Sequence, residues 1–563
     1  MTENKRRPST ECVSTQLDAI LEELGNFGRY QLLNIILIFI PLTLCACYGL
    51  SYIFAVSESP HRCAIPECDT GDLEPEWLQN AIPWKGGAYD KCSRYGSVNE
   101  TFDNMIKREI SDFDLSNSSC PVDLFDKNNV QKCDKWVYSN NNSIAGEFDL
   151  GCAEWKRTLV GTMNNIGQLF GLPLSGFVSD RYGRRTGMTV GIVTSALAGL
   201  ARSFTNTYWS YVTLEFIDGA GGAGIYGAGF IMGVEYVGPK YRVLTSSLIS
   251  YSYAIGEMLL GLAAWLFPYW RTLLRVTYIP SIFLISYLWI LPESVRWLLS
   301  KGDYNAAEKV LKKAAKFNGI VLSDKSLQTL YHSVEYNNIN VNEDTENEKN
   351  GKDKSVFHQM IRSKILMVRM ICCSMWWITC TFVYYGLSLS AVSISGDMYL
   401  NFVLVSLIEI PGYAVYYVVV DRYGRRKSLC VSLLASGISC FVYLFVPLDI
   451  AWLQLCIYLF GKFAITVAFT VLYVYTTELF PTPLRASMLG ACSMFGRVGS
   501  MVAPQVPLLA IYMESLPLIL FGATSIMAGF MVLGFPETNN IKLPDTIAEA
   551  ENLSRKPNKT IET

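Results

Sequence analysis

The chain has 563 residues, 51% of them hydrophobic and only 17% charged, with a formal net charge of −2. Soluble domains carry about 25% charged residues, so the composition argues against an ordinary soluble chain. The balanced charge excludes a global basic field for nucleic acid.

Apolar runs of about 20 residues are long enough to cross a hydrocarbon core as helices. Twelve such runs follow one another, roughly at 31–56, 157–178, 186–204, 208–236, 243–267, 272–291, 365–387, 398–420, 428–447, 451–475, 486–512 and 515–535. Arg202 interrupts the third. The first is too long and too far along the chain for a cleavable signal peptide, and no small-residue cleavage site follows it.

Basic residues in short loops set the orientation. Arg181, Arg184 and Arg185 separate runs two and three; Lys240 and Arg242 separate four and five; Arg422, Arg425, Arg426 and Lys427 separate eight and nine. The alternate loops are poor in basic residues. The expectation is cytoplasmic segments at 1–30 and 537–563, a first bundle at 31–292, a polar cytoplasmic linker at 293–364 and a second bundle at 365–536. Within the linker, 303–317 reads as a helix with Asp303 as N-cap and Gly319 near its end. Residues 335–354, with almost no apolar content, are expected to be disordered.

The loop at 57–156 then lies outside the cell. It holds Cys63, Cys68, Cys92, Cys120, Cys133 and Cys152. Six cysteines in an oxidising compartment predict three disulfides, with the pairing left open. The same loop carries glycosylation acceptor sequons at Asn99, Asn117 and Asn141. The other cysteines read as small hydrophobes.

The two halves repeat. Asp180-Arg181-Tyr182-Gly183-Arg184-Arg185 returns as Asp421-Arg422-Tyr423-Gly424-Arg425-Arg426. Glu235 with Arg242 returns as Glu478 with Arg485, and Pro292-Glu293-Ser294 as Pro536-Glu537-Thr538. All three landmarks keep nearly one displacement. The fold class expected is an all-α membrane protein of twelve transmembrane helices in two six-helix pseudo-repeat bundles, the major facilitator fold, with substrate bound between halves near the midplane.

The arginine-rich turns, with Asp180 and Asp421, read as a cytoplasmic latch in which Arg181, Arg184, Arg185, Arg422, Arg425 and Arg426 pair with Glu235 and Glu478 at helix ends. The plainer alternative is positive charge that only orients the spans. A second constellation lies deeper. At about 1.5 Å per residue from each helix start, Asp218, Glu409, Lys462 and Arg497 fall near the middle of the core, and ionisable groups there are functional hypotheses by default. Glu215 and Glu257 lie nearby in depth. A cavity holding both signs suits a charged small molecule; structural pairing is the bland alternative. Trp376, Trp377, Tyr384 and Tyr385 on the seventh helix offer faces for an ammonium group or serve as ordinary packing. The glycines between Gly219 and Gly229 on the fourth helix read as a close-packing surface. His61, His332 and His358 form no triad and no metal cluster, so neither enzyme nor cofactor is expected.

With these motifs in hand, the sequence resembles the organic cation, organic anion and carnitine transporters of the major facilitator superfamily, from about residue 20 to 540. The resemblance rests on the cysteine-rich sequon-bearing loop, both Asp-Arg-Tyr-Gly-Arg-Arg turns, Pro292-Glu-Ser-Val-Arg-Trp-Leu-Leu299 and Glu478-Leu-Phe-Pro-Thr482 with Arg485. It implies substrate binding among helices four, five, seven, eight, ten and eleven, where the candidate contacts are Asp218, Glu257, Tyr384, Tyr385, Glu409, Lys462 and Arg497. Glu409 looks like the helix-eight acid of cation and carnitine carriers, and Lys462 like a basic helix-ten residue of relatives. Arg497 stands where cation carriers typically have Asp. The mixed set implies a cation or zwitterion, carnitine-like or amine-bearing, as substrate in the plasma membrane. An organic-anion carrier and a non-transporting receptor or scaffold are the alternatives. The expected partners are the small organic ion and the bilayer; oligomeric state stays open.

Overall fold

The computed structural model describes residues 10–97 except 67, 70 and 86, residues 120–331 except 121 and 324, residues 362–539 except 448, 482 and 483, and residues 544 and 547–552. The segment at 335–354, Asn99 and Asn117 lie outside the described residues.

Twelve helical spans follow the twelve apolar runs. Span one is Arg29–Leu50 continued by Tyr52–Ala55; span two is Glu154–Tyr182; span three is Arg184–Arg202; span four is Tyr208–Gly222 with Ile225–Glu235; span five is Arg242–Leu266; span six is Trp270–Ile282 continued to Ile290. Spans seven to twelve are Lys364–Ser390, Met398–Leu407 with Glu409–Tyr423, Arg425–Tyr443, Ala451–Leu479, Arg485–Val502 continued by Ala503–Ile511, and Leu516–Val532. Among the described residues, seven helices are long and apolar enough by composition to cross a membrane. The other spans are shorter, broken or more polar. Span two, for example, carries Asn164, Asn165 and Gln168 in its middle. Large apolar side chains such as Phe283, Trp289, Phe445 and Leu266 point outward, as lipid-facing positions must.

Prolines mark irregular backbone. Span six passes into a 3-10 turn at Phe283–Ser286 just after Pro280, and span eleven does so over the stretch holding Pro504 and Pro507, where missing N–H donors interrupt the α ladder. Close packing needs small residues. A methyl on Gly219 would lie 2.2 Å from the Asn164 carbonyl of span two, so span four's glycines serve helix approach.

Among its described residues, the loop between spans one and two holds three two-stranded antiparallel sheets, pairing His61–Cys63 with Trp136–Tyr138, Trp84–Lys85 with Ala88–Tyr89, and Ser93–Ser97 with Phe125–Lys132. Its cysteines pair Cys63 to Cys133, Cys68 to Cys120 and Cys92 to Cys152. Asn141 is exposed there. Glu147 fastens the domain to span six, accepting from Trp270 Nε1 at 2.7 Å and Arg271 Nε at 2.9 Å.

At the opposite end, a helix at Thr10–Glu23 packs Leu17, Ile20 and Leu21 against Leu311 and Ala314 of the linker helix Tyr304–Asn318. Asp303 caps that helix by accepting from Ala306 N at 3.0 Å, and Gly319 ends it at φ 71°. Asp18 pairs with Arg242 at 2.6 Å and with Arg296.

The bundles meet at the end carrying the disulfide domain. Gln505 Nε2 donates to Thr162 Oγ1 at 2.7 Å, Thr158 Oγ1 to Gln505 Oε1 at 3.0 Å, and Thr162 Oγ1 to the Met501 carbonyl at 3.2 Å. Phe54 packs on Tyr399 and Phe402, and a methyl on Gly261 would meet Val403 at 2.7 Å. The two halves are thus closed against each other on that side of the midplane.

Candidate functional site

Lys462 of span ten is fully buried and pairs with Glu409 of span eight at 2.8 Å. Its ammonium also donates to Ser388 Oγ at 2.7 Å and stands 3.4 Å from the ring centre of Tyr384. Tyr384 and Tyr413 both donate to Glu409 Oε2, at 2.8 and 3.2 Å. A buried ion pair is tolerated when further hydrogen bonds satisfy both ions, and these supply them. Glu409 sits where span eight breaks between its two helices.

Glu257 of span five comes from the other bundle. Its electrostatic neighbours are Glu409 and Lys462, with Ser406 beside them. It is 1% exposed, and neither of its carboxylate oxygens accepts a hydrogen bond among the described residues. One lysine therefore faces two carboxylates, and the interface between the halves holds a surplus negative charge. Aromatic rings surround it from both halves. Tyr226 and Tyr253 lie edge to face at 5.8 Å, Tyr384 and Tyr385 at 5.3 Å, and Phe469 and Tyr473 at 5.4 Å. Tyr253 and Tyr385 are electrostatic neighbours across the interface. Trp376 and Trp377 pack differently. Trp376 lies edge-on to Phe535 inside the second bundle, and the Trp377 indole donates to Thr476 at 3.0 Å.

Asp218 departs from the sequence reading, which set it in one cavity with Lys462. The structure places it inside the first bundle against Arg202 of span three, at 3.3 Å, with Tyr278 of span six donating to the same carboxylate. Arg202 pairs with Glu215 and donates to Ser51 Oγ at 3.1 Å and Tyr278 Oη at 3.0 Å. Arg202, Glu215 and Asp218 are essentially inaccessible. The reason is helical geometry: Glu215 and Asp218 share a face at i, i+3, and Arg202 reaches that face from the neighbouring span. Arg202 is the residue that sequence reasoning left without a role, although a lone arginine in an apolar run demands a partner.

Arg497 of span eleven is half-buried and donates to Gln168 Oε1 of span two at 2.8 Å. Among the described residues it has no carboxylate partner within ion-pair distance. Gln168 Nε2 donates to Asn164 Oδ1 at 2.8 Å, and Asn164 Nδ2 to Glu215 Oε1 at 2.9 Å. Two amides thus connect Arg497 to the buried acids of the first bundle, every donor facing an acceptor.

At the opposite end, the repeated turns share one design. Glu293 Oε1 accepts from the backbone N of Arg184 and Arg185 at 3.0 and 3.2 Å, and Glu537 Oε1 from Arg425 and Arg426 at 2.7 and 3.3 Å. A carboxylate on unpaired N–H groups at a helix start is favoured by both hydrogen bonding and the helix dipole. Burial is the larger influence on Glu293 and lifts its carboxyl above the usual range despite these donors. Gly183 and Gly424 have φ of 107° and 88°, and a methyl on either would strike Glu293 or Glu537. The Pro-Glu repeat was legible as a landmark, but its acids were absent from the predicted latch.

The predicted latch pairs divide. Arg425 Nε meets Glu478 at 3.2 Å and Asp421 at 3.8 Å by Nη1. Arg184 pairs with Asp180 instead of Glu235, Arg185 Nη1 donates to the Leu291 carbonyl at 3.2 Å, and Glu235 accepts from Ser294. Arg426 Nη1 donates to the Phe535 carbonyl at 3.1 Å. Arg181 and Arg422 lie over the rings of Tyr182 and Tyr423. Each of these contacts stays within one half. Arg369, near the start of span seven, is buried and donates to the Ala550 carbonyl.

The family model for sugar (and other) transporters matches residues 113–547. The organic cation transporter protein of Drosophila melanogaster is 31% identical, with 96% of this chain and 95% of that one covered. The chain belongs to the organic cation, organic anion and carnitine transporter family of the major facilitator superfamily. It is a membrane-spanning transporter and not an enzyme. The organic cation/carnitine transporter 2 of Homo sapiens is 30% identical, with 94% of this chain and 93% of that one covered. Among solved structures, the partially occluded inward-open xylose transporter XylE from E. coli superposes with a TM-score of 0.57 at 17% identity, covering 90% of this chain and 98% of that one. That likeness speaks for the fold alone.

Proposed function

We propose that this chain carries a small organic cation, or a zwitterion bearing an ammonium group, across the plasma membrane by alternating access, with both chain termini in the cytoplasm. The single observation that carries the charge preference is Glu257. Lys462 is already neutralised by Glu409, and Arg497 is already hydrogen-bonded through Gln168, whereas Glu257 stands buried without a donor. An ammonium group is the ligand that removes this deficit, and the surrounding tyrosines suit it, because aromatic faces attract cations. The names of relatives from Drosophila melanogaster and Homo sapiens, organic cation and organic cation/carnitine transporters, support the same class.

The disulfide domain at the closed end faces the outside in this reading, and Asn141 in it is the described glycosylation acceptor. The conformation is then inward-facing. Asp180, Arg184, Asp421, Arg425 and Glu478, with Glu293 and Glu537, form the cytoplasmic latch; it engages across the halves when the carrier turns outward.

Uptake by expressing cells tests the proposal, with labelled tetraethylammonium, carnitine and a dicarboxylate as probes. The expected order is quaternary ammonium and carnitine well above dicarboxylate, with Glu257→Gln losing the cation at normal surface expression. Arg497→Asp is expected to lower carnitine uptake more than tetraethylammonium uptake. Dicarboxylate uptake that survives Glu257→Gln undiminished would favour an anion carrier.

A further inference from the structure

The linker helix Tyr304–Asn318 is pinned at both ends to the feet of spans. Before it, the short helix Val295–Ser300 follows span six, and its Trp297 indole donates to the Asp180 carbonyl at the foot of span two at 3.0 Å. At the other end, Asn318 Oδ1 accepts from the backbone N of Tyr30 at 2.9 Å, and Asn318 Nδ2 donates to Gln31 Oε1 at 3.0 Å, both in the first turn of span one. Phe317 meets the Tyr30 ring edge to face at 6.2 Å. At about 1.5 Å per residue the helix is about 22 Å long. It therefore runs along the foot of the first bundle, at the level where the spans enter the headgroup layer.

Its two faces differ. Ala307, Leu311, Ala314 and Ala315 are buried against the N-terminal helix. Lys309, Lys312, Lys313 and Lys316 fall on the opposite face by the helical period, and all four are exposed. Glu308 takes Lys312 at 2.7 Å, and Asp303 serves as the cap. Lys309, Lys313 and Lys316 have no acidic partner among the described residues. Lys301 and Arg29, exposed at the two feet, extend the positive strip. Phe317 is half-exposed, and Val321 just beyond it is 94% exposed.

We infer that this lysine face is a docking surface for anionic phospholipid headgroups of the adjoining leaflet, which the orientation proposed above makes the cytoplasmic one. That leaflet carries a negative surface potential and attracts basic clusters beside a span. Phe317 and Val321 seat at the acyl boundary, as apolar side chains next to lysines do on interfacial helices. An acidic protein that wraps a basic amphipathic helix takes hold of its apolar face, and here that face is already spent on the N-terminal helix. The contact reaches the transport machinery. Asp18 of the N-terminal helix pairs with Arg296 and with Arg242, the first residue of span five. Headgroups that hold the linker helix thus hold the foot of the span carrying Glu257.

The test uses the purified full chain in lipid nanodiscs with and without phosphatidylserine, and an amine-acetylating reagent read residue by residue by mass spectrometry. A nanodisc offers the same lipid to both ends of the protein, so the result does not depend on orientation. Acetylation of Lys309, Lys313 and Lys316 should be about fivefold slower with phosphatidylserine, the ratio that corresponds to the attraction of one lysine to an anionic surface. The protection should vanish at about 1 M salt, where the Debye length is about 3 Å. Lys127, exposed in the disulfide domain, should react alike in both discs. In the triple variant Lys309→Gln, Lys313→Gln and Lys316→Gln, the remaining Lys301 and Lys312 should lose their own protection. Equal acetylation of the linker lysines in both discs overturns the inference, as does slowing of Lys127 by the same factor. Protection by calcium-loaded calmodulin but not by phosphatidylserine overturns it in favour of a protein partner. Labelling of Lys313 by an impermeant reagent in intact cells overturns the proposed orientation and leaves the nanodisc result standing.

Discussion

Replacing Arg202 by Leu separates the sealed cluster from the substrate interface. Arg202 faces Glu215 and Asp218 with no water access. The change strands two carboxylates and removes the partner of Ser51 and Tyr278. Breaking a buried pair by removing one partner costs about 3–5 kcal/mol. At ~2 °C per kcal/mol for a bundle of this size, the melting transition should fall by roughly 6–10 °C. The assay is thermal unfolding of the detergent-solubilised chain, followed by loss of a monodisperse chromatographic peak. The triple change Arg202→Met with Glu215→Gln and Asp218→Asn should recover most of the loss, because neutral replacement of a whole buried set is close to isoenergetic. A melting temperature unchanged in Arg202→Leu would refute the account of these three residues as a mutually neutralising interior set.

Gly183→Ala and Gly424→Ala should each lower surface expression severalfold, since a side chain there combines a positive φ with a clash on Glu293 or Glu537; normal expression of both would show the carboxylate cradle to be dispensable. Cysteines at Thr158 and Gln505, whose side chains meet at 3.0 Å, should be bridged by a short bifunctional thiol reagent with loss of uptake, and continued transport after bridging would show that this end need not open. Burial pushes the Glu147 carboxyl up, but Arg271 and the Trp270 and Tyr269 donors outweigh it and hold it below the usual carboxylate range. Its contribution to anchoring the disulfide domain is therefore complete above about pH 4.3. It is lost as pH falls through the lowered folded value. Trp270 fluorescence should change on acidification below pH 4, and the change should be absent in Arg271→Ala.

The architecture was legible because its signals repeat. Lipid demands about 20 apolar residues per crossing, and the Asp-Arg-Tyr-Gly-Arg-Arg turns fix where one crossing returns. The linker helix was legible for a local reason, its Asp303 cap and Gly319 stop. The site was legible only in part. Depth along a helix placed Glu409, Lys462 and Glu257 at one level, and the structure brings them together. Depth alone carries no azimuth, however, so Asp218 was set on the cavity side when its face turns toward Arg202. The sequence contained the clue in Arg202, an arginine deep in an apolar run with two acids one turn apart on the next helix. Glu293 was hidden for another reason: its role is to hydrogen-bond backbone N–H groups, and backbone partners leave no side-chain pattern to read.

The two charged sets differ in what compensates them, and that difference matches their places in a moving carrier. Arg202, Glu215 and Asp218 lie on spans three and four of one bundle, so their pairing survives any rocking of the halves. Glu257 lies on one bundle while Glu409 and Lys462 lie on the other, so their surplus charge exists only where the halves face each other. A ligand shifts a two-state equilibrium only by binding one state better than the other. A compensated interior set offers nothing to a ligand, whereas an uncompensated interface offers its full charge deficit. Arg497 of the second bundle reaches the first of these sets, through Gln168 and Asn164 to Glu215, across the bundle boundary. That chain must break at the boundary when the halves part on the disulfide-domain side. The Gln168 amide, bonded to a guanidinium, can exchange that partner for water at about 1.5–3 kcal/mol. The bond between Arg497 and Gln168 is therefore weak enough to open in each cycle, while the ion pairs on either side of it persist.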